Sequence, residues 1–274
     1  MTTCFDVFEC FVKAAQAGIF IESENDNDKE FHFQNWVAAR LQALKLDFDD
    51  PVRNTYPDFR LVHAPEGYEV KGLKSPGRIM NYDSNSQVPS GSHRGRQIYY
   101  VFGLYPKSLA PYPKAADGRR RYPLMDLVVC HGDFLNADHE YIHKNRNVKG
   151  FGSYGDIMIR DRKMYVPPTP FALTAGTGGL RTLIVPERLK SRDKRFQKVG
   201  QLTRIETSTL VVGYSFNLKT NELRPETIKN PNAGNAHNFL AYRLKGEPAH
   251  EVTMRQYEPP ADADADEDDE ASLV

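Results

Sequence analysis

Two carboxylates and one lysine, Asp58, Glu69 and Lys71, have a spacing that suits hydrolytic chemistry. Residues 55–63 (TYPDFRLVH) are rich in strand-forming side chains, residues 64–67 (APEG) predict a turn, and residues 68–73 predict a return strand. An antiparallel hairpin of this kind brings Asp58 beside Glu69. Because side chains alternate across a strand, Glu69 and Lys71 share one face. We therefore expect three charged groups to meet at one place on a sheet.

Two carboxylates this close repel each other unless a cation lies between them. Oxygen-rich carboxylate sites prefer Mg²⁺, which keeps several waters and takes other ligands from phosphate. A metal ion in such a site neutralises a scissile phosphate and lowers the pKa of a bound water. Lys71 could then hold or deprotonate that water and stabilise the added negative charge. These are the parts that phosphodiester hydrolysis requires.

The pattern Pro57-Asp58, ten residues, then Glu69-Val70-Lys71 resembles the motif of the PD-(D/E)xK nuclease superfamily. The resemblance covers about residues 30–73. It implies that Asp58 is a shared metal ligand, that Glu69 is a second ligand, and that the main-chain carbonyl of Val70 is a third. It implies that Lys71 orients the attacking water or acts on it as a base. A surface hairpin with ordinary charged residues is the plain alternative.

Many members of that superfamily carry a further acid on the helix before the hairpin. Glu30 is the candidate here, because it precedes Phe33 and Val37 by three and seven residues and so falls toward the buried face. Glu22 or Glu24 could serve instead. The ligand set that the resemblance implies for Mg²⁺ is therefore Asp58, Glu69, Val70 and Glu30.

The segment after Lys71 is also similar to restriction endonucleases, which work on double-stranded DNA. Its polar side chains are of the kinds that contact base edges or phosphates; they are Lys74, Arg78, Asn81, Asn85, Gln87, His93, Arg94 and Arg96. A long loop without other function is the alternative for residues 74–96. A second basic run at residues 188–204 could contact phosphates, or it could be an exposed helix or turn. The resemblance implies a homodimer, because a twofold protein matches a palindromic site.

A rival signal lies at residues 139–143, where His139-Glu140-Tyr141-Ile142-His143 matches HExxH. On a helix, two histidines four residues apart can bind zinc while the glutamate acts as general base, which would make the chain a zinc metallopeptidase. No HxxGxxH extension follows, and the strand-rich remainder offers no clear third ligand. A non-catalytic DNA-binding module is another alternative, and a repair nuclease or junction resolvase on the same core stays open.

The order of the predicted elements indicates an α/β fold. Helices are expected at residues 3–17, 29–45 and 134–144, and strands at residues 55–63, 68–73, 97–105, 124–130, 156–165, 182–185, 206–218 and 238–244. The resemblance implies a restriction-endonuclease-like core with a mixed central sheet flanked by helices. We expect one domain over residues 1–260, with a catalytic core at about 20–150 and a strand-rich elaboration at about 151–260.

Composition sets the remaining expectations. The formal charge is zero, yet residues 261–274 hold seven acids and no base, which leaves a body with 36 basic and 29 acidic side chains, a net charge of about +7. A basic body is compatible with a polyanion, and the acidic end predicts a disordered tail. No apolar stretch is long enough to cross a bilayer, and no secretory signal is expected. Three unpatterned cysteines fit a reducing cytoplasm.

Overall fold

A mixed sheet of nine strands forms the centre of the computed structural model, which describes residues 3–23, 32–49, 56–84, 88–107, 119–137, 152–159 and 165–257. Its main path runs in the order β13-β16-β12-β8-β6-β4-β3-β2, and β5 pairs with β6. The strands are β2 (Phe48–Asp49), β3 (Phe59–Leu61), β4 (Glu66–Ser75), β5 (Ser92–His93), β6 (Arg96–Pro106), β8 (Asp126–His131), β12 (Arg181–Pro186), β13 (Phe196–Ile205) and β16 (Ala236–Leu244).

Four two-stranded pairs lie outside this sheet. They are formed by β1 (Ile21–Glu22) with β7 (Arg121–Tyr122), β9 (Met158–Ile159) with β10 (Tyr165–Val166), β11 (Thr174–Ala175) with β17 (Thr253–Met254), and β14 (Thr209–Asn217) with β15 (Glu222–Lys229). The helices among the described residues are few; they are α1 (Cys4–Gln16), α2 (His32–Ala43), α3 (Gly132–Asn136) and α4 (Pro170–Leu173). The fold is therefore mixed α/β with a large mixed central sheet.

The two faces of the sheet have different cover. Helices α1 and α2 pack their apolar sides on one face, which we call the helix face, against strand residues such as Tyr68, Val101 and Val129. The alternate residues of the same strands, including Tyr100, Phe102 and Cys130, point to the other face, which we call the tyrosine face. This period-2 alternation means that Glu69 and Lys71 of β4 belong to the tyrosine face.

A pair of glycines allows α2 to pack closely against the helix face. Gly72 of β4 and Gly103 of β6 lie side by side in the parallel register. A Cβ atom at Gly103 would lie 2.2 Å from Cζ of the Phe33 ring, and one at Gly72 would lie 3.3 Å from the Cβ of Phe33. The missing side chains leave the space that Phe33 fills. Helix α2 is thereby fixed directly behind Lys71, one residue along β4.

Several predicted elements correspond closely to the structure. The first two helices and the strands predicted at residues 68–73, 97–105, 124–130, 182–185 and 238–244 are present, and those of their ends that fall within the described residues agree to within two residues. The strand predicted over residues 55–63 is ordered as β3 only from Phe59 to Leu61. The segment expected to be a loop, residues 74–96, begins inside β4 and ends in the β5–β6 hairpin. Between them, isolated β-bridges join Asn81 to Pro168 and Ser84 to Tyr165.

The structure corrects one of the two alternatives for the basic run at residues 188–204, the exposed helix or turn. Neither a helix nor a turn forms over most of it, because β13 takes residues from Phe196 onward into the main sheet. Arg204 is buried there and pairs with Asp156. Arg195 pairs with Asp193, Asp6 and Glu9 in this structure. These two arginines hold elements of the fold together, so phosphate contact stays a prediction for the exposed basic residues of the run, such as Lys190, Arg192 and Lys194.

No helix in the described part of the chain is long and apolar enough to cross a membrane. The three cysteines are free thiols.

The close packing of Phe33 against Gly103 predicts that a larger residue at position 103 lowers the stability of the fold. Gly103→Ala should lower the free energy of unfolding by about 1–3 kcal/mol, because the new methyl group forces the Phe33 ring out of its place. Chemical denaturation measures the difference. Gly178→Ala is the matched control, since a Cβ atom at Gly178 meets nothing within 4 Å. Equal stability of Gly103→Ala and the wild-type chain would contradict this packing.

Candidate functional site

The β3–β4 hairpin brings the predicted charged residues together. Phe59 pairs with Tyr68 and Arg60 with Gly67 in antiparallel register, so Asp58, one residue before β3, lies opposite Glu69. The backbone N–H of Asp58 donates to Oε2 of Glu69 at 3.3 Å. The expected juxtaposition of the two carboxylates across the hairpin is therefore present.

Lys71 completes the group on the tyrosine face. Its Nζ lies 2.7 Å from Oε1 of Glu69, and the two side chains are 23% and 12% exposed. Burial lowers the pKa of Lys71, but the charges of Glu69, Asp58 and Asp83 outweigh it and raise the pKa above its ordinary value. Lys71 is therefore an ammonium ion at neutral pH, held against the carboxylates. In this state it is a donor and a positive charge, and it cannot accept a proton.

The main chain of Val70 also faces Asp58. Its N–H donates to Oδ2 of Asp58 at 2.7 Å. Within a strand the N–H and C=O of one residue point to the same side, so the Val70 carbonyl also points toward the β3 side. Continuing the hairpin register places Pro57 opposite Val70, and a proline has no N–H to donate. The Val70 carbonyl thus faces a position where the opposing backbone offers it no hydrogen bond.

The Asp58 carboxyl is the most electrostatically strained group of the site. Burial and the neighbouring charge of Glu69 raise its pKa to about 7, although Lys71 and the Val70 N–H act in the opposite direction. The same two partners would stabilise a carboxylate elsewhere. The pKa of Asp58 is raised in spite of them because burial, first, and the charge of Glu69, second, both disfavour the carboxylate form. A cation between Asp58 and Glu69 would remove that cost.

The oxygen donors fit Mg²⁺ better than zinc. Two carboxylates and a main-chain carbonyl are hard ligands, and Mg²⁺ completes its octahedral shell with water and phosphate oxygens. Among the described residues no group of three or more His, Cys, Asp or Glu side chains could hold a metal ion. A metal at Asp58 and Glu69 would thus depend on main-chain, water or substrate ligands for the rest of its shell.

Three tyrosines that the sequence analysis did not single out surround the site. The Tyr56 hydroxyl lies 2.9 Å from that of Tyr100, which is the register partner of Glu69 in β6. The ring of Tyr82 lies 5.7 Å from Nζ of Lys71. The Tyr82 hydroxyl is buried and has no hydrogen-bond partner among the residues that the structure describes. The adjacency of Tyr56 to the Pro57-Asp58 pair was the available signal for one of them. Tyr100 reaches the site through the pairing of β6 with β4, and Tyr82 reaches it from the segment that follows β4.

The predicted DNA-binding residues divide into groups. Arg78 pairs with Asp83 at 2.6 Å, Asn81 is buried, and Arg96 donates to the carbonyls of Leu61 and Ala64. Lys74 lies near the end of β4. His93 and Arg94 lie at the β5–β6 turn, and His93 packs its ring edge on Tyr56 at 5.0 Å between centroids.

Several of the predicted site residues lie outside the described residues, namely Glu30, Glu24, Asn85, Gln87 and the HExxH segment at residues 139–143. Glu22, the remaining alternative for the extra acid, is paired with Arg121 at 2.8 Å and lies on β1, away from the main sheet. Its carboxylate is therefore already neutralised by an arginine.

No protein-family model matches this chain, and comparisons with curated proteins and with solved structures found no significant relative.

The raised pKa of Asp58 predicts how stability depends on pH. The unfolded chain loses this proton above about pH 4 while the folded chain keeps it to about pH 7, so folding becomes less favourable as pH rises through that window. Asp58→Asn removes the charge and keeps an acceptor for the Val70 N–H. In EDTA at pH 8 the variant should be more stable than the wild-type chain by about 2–4 kcal/mol, and the difference should vanish near pH 4.

Denaturant titrations at both pH values measure this difference. Asp47→Asn is the control, because the Asp47 carboxylate is 74% exposed and pairs with the exposed His63. A loss of stability in Asp58→Asn at pH 8 would show that the carboxylate is an ordinary structural partner.

Proposed function

We propose that this chain is a Mg²⁺-dependent DNA endonuclease of the PD-(D/E)xK superfamily. The observation that carries the proposal is the position of Asp58 opposite Glu69 across the β3–β4 hairpin, near enough for the charge of Glu69 to raise the pKa of Asp58, with Lys71 paired to Glu69 on the same face. The mixed sheet with α2 behind β4 is compatible with a restriction-endonuclease-like core. The sequence resemblance after Lys71 favours a type II restriction endonuclease over other enzymes on such a core.

The residues have separable roles in this proposal. Asp58, Glu69 and the Val70 carbonyl would hold the metal, since they are the oxygen donors that converge there. Bound Mg²⁺ would supply charge neutralisation at the scissile phosphate and a water of lowered pKa. Lys71 carries its proton and would orient the attacking water and stabilise the charge of the phosphate as the nucleophile adds. The carboxylate of Glu69, between Lys71 and Asp58, would fix the position of both.

The partner we propose is double-stranded DNA, bound by a homodimer. Support for DNA comes from the basic body of the chain and from the polar side chains that follow β4. Support for a dimer is the general match between twofold proteins and palindromic sites.

Cleavage of plasmid and bacterial genomic DNA tests the activity directly. We expect Mg²⁺-dependent cutting, suppressed by EDTA, that gives discrete fragments whose sequenced ends share one short motif. A smear of random ends would indicate a non-specific nuclease. Binding that survives EDTA without any cleavage would indicate a DNA-binding module and would contradict the proposal.

Substitutions at the three charged residues should separate chemistry from binding. Asp58→Asn, Glu69→Gln and Lys71→Met should each reduce the cleavage rate by about 10³-fold or more, because each loses several kcal/mol of transition-state stabilisation. Binding of the cleaved sequence in Ca²⁺ should persist for Lys71→Met. Glu222→Gln is the control, since that carboxylate is exposed and, within the described part of the chain, pairs with Arg224. Near-wild-type cleavage by any of the three variants would remove that residue from the mechanism.

A further inference from the structure

The tight turn between β5 and β6 holds an arginine in an unfavourable backbone conformation. His93 pairs with Arg96, so only Arg94 and Gly95 form the turn. Their φ angles are 48° and 77°. Two positive φ values define the type I′ hairpin turn, for which Asn-Gly is the preferred sequence. Arginine has a Cβ atom that the left-handed region disfavours, so the identity of residue 94 is not explained by the turn.

The turn is fixed to the candidate site on both sides. Arg96 Nη1 donates to the Leu61 carbonyl at 2.7 Å and to the Ala64 carbonyl at 3.1 Å, which ties the hairpin to the β3–β4 turn. On the other strand, the His93 ring packs edge-on against Tyr56, two residues before Asp58. The position of Arg94 relative to Asp58 is therefore set by contacts of its two neighbours.

Arg94 itself remains available. Its side chain is exposed, and within the described part of the chain it forms no hydrogen bond or ion pair. Its nearest arginines are engaged: Arg96 with backbone carbonyls, and Arg60 with Asp49 at 3.2 Å. Of the eight residues predicted to contact DNA, Arg94 is the arginine that combines exposure, a rigid mount and freedom from an internal partner.

We propose that Arg94 reads a guanine base edge in the major groove of the substrate, a role that rests on the proposed endonuclease function. The major groove admits a two-stranded ribbon, and the two-residue turn puts Arg94 at its leading end. The planar guanidinium matches the O6 and N7 acceptors of guanine. A rigid mount suits base reading, which needs a defined position, whereas phosphate binding does not require it.

Two substitutions test this role, and for Arg94→Asn the expected changes in stability and in discrimination have opposite directions. Arg94→Asn suits the turn and should raise Tm by roughly 2–4 °C while lowering discrimination. Arg94→Lys keeps the charge and loses the paired donors. On duplexes with the motif found at the cleaved ends, both variants should lose about 10- to 100-fold of the preference for one G·C pair over its substitutions. Competition binding in Ca²⁺ over a salt series measures this preference.

The outcomes distinguish the inference from the function it rests on. An equal loss of affinity on every sequence, with the salt slope reduced by about one, would identify a phosphate contact and overturn base reading. Unchanged discrimination in both variants, or a lower Tm in Arg94→Asn, would also overturn it. A wild-type chain that neither binds nor cleaves DNA would instead refute the proposed function, before either variant is compared.

Discussion

The repulsion between Asp58 and Glu69 is the interaction on which the account of this molecule depends. Burial raises the pKa of Asp58, and the charge of Glu69, which the hairpin register places opposite Asp58, raises it further, to about 7. Lys71 balances only one of the two charges. A stable protein with no use for this arrangement would gain by replacing either acid, because an unbalanced buried charge costs free energy of folding. A cation bound at the proposed metal site would offset that cost, which explains why both acids are kept together.

The rest of the structure holds this pair in place from behind and from both sides. The packing of Phe33 against Gly72 and Gly103 fixes α2 against β4. The neighbouring parallel strand β6 places Tyr100 beside Glu69. The β5–β6 turn is tied to the β3–β4 turn through Arg96. Since β6 contributes both Tyr100 and the turn that carries Arg94, one strand links the chemistry to the proposed recognition of DNA. Strands from the second half of the chain continue the same sheet, away from the site.

Local patterns in the sequence sufficed for the hairpin, the two first helices and the pairing of Asp58 with Glu69, because each depends on periodicity or a nearby turn. The tyrosines Tyr82 and Tyr100 were not identifiable in this way, since they reach Glu69 and Lys71 through strand pairing and loop packing over long sequence separations. The exposed helix or turn predicted as one alternative for the basic run was wrong for a related reason. Charge dominates its composition, but β13 pairs with β16, and Arg204 finds Asp156 only in the folded chain. Conversely, Arg78, Arg94 and Arg96 cannot be distinguished from the sequence. The structure shows that Arg78 and Arg96 have partners within the fold, whereas Arg94 has none among the described residues.

Titration calorimetry with Mn²⁺ at pH 8 tests the central claim most directly. Mn²⁺ accepts the same oxygen ligands as Mg²⁺ and binds such sites more tightly, so uptake is measurable without chemistry on a substrate. The wild-type chain should bind Mn²⁺, and Asp58→Asn, although folded and more stable without metal, should lose that binding. Absence of binding by the wild-type chain, or equal binding by Asp58→Asn, would contradict the claim that the two carboxylates are held together for a cation.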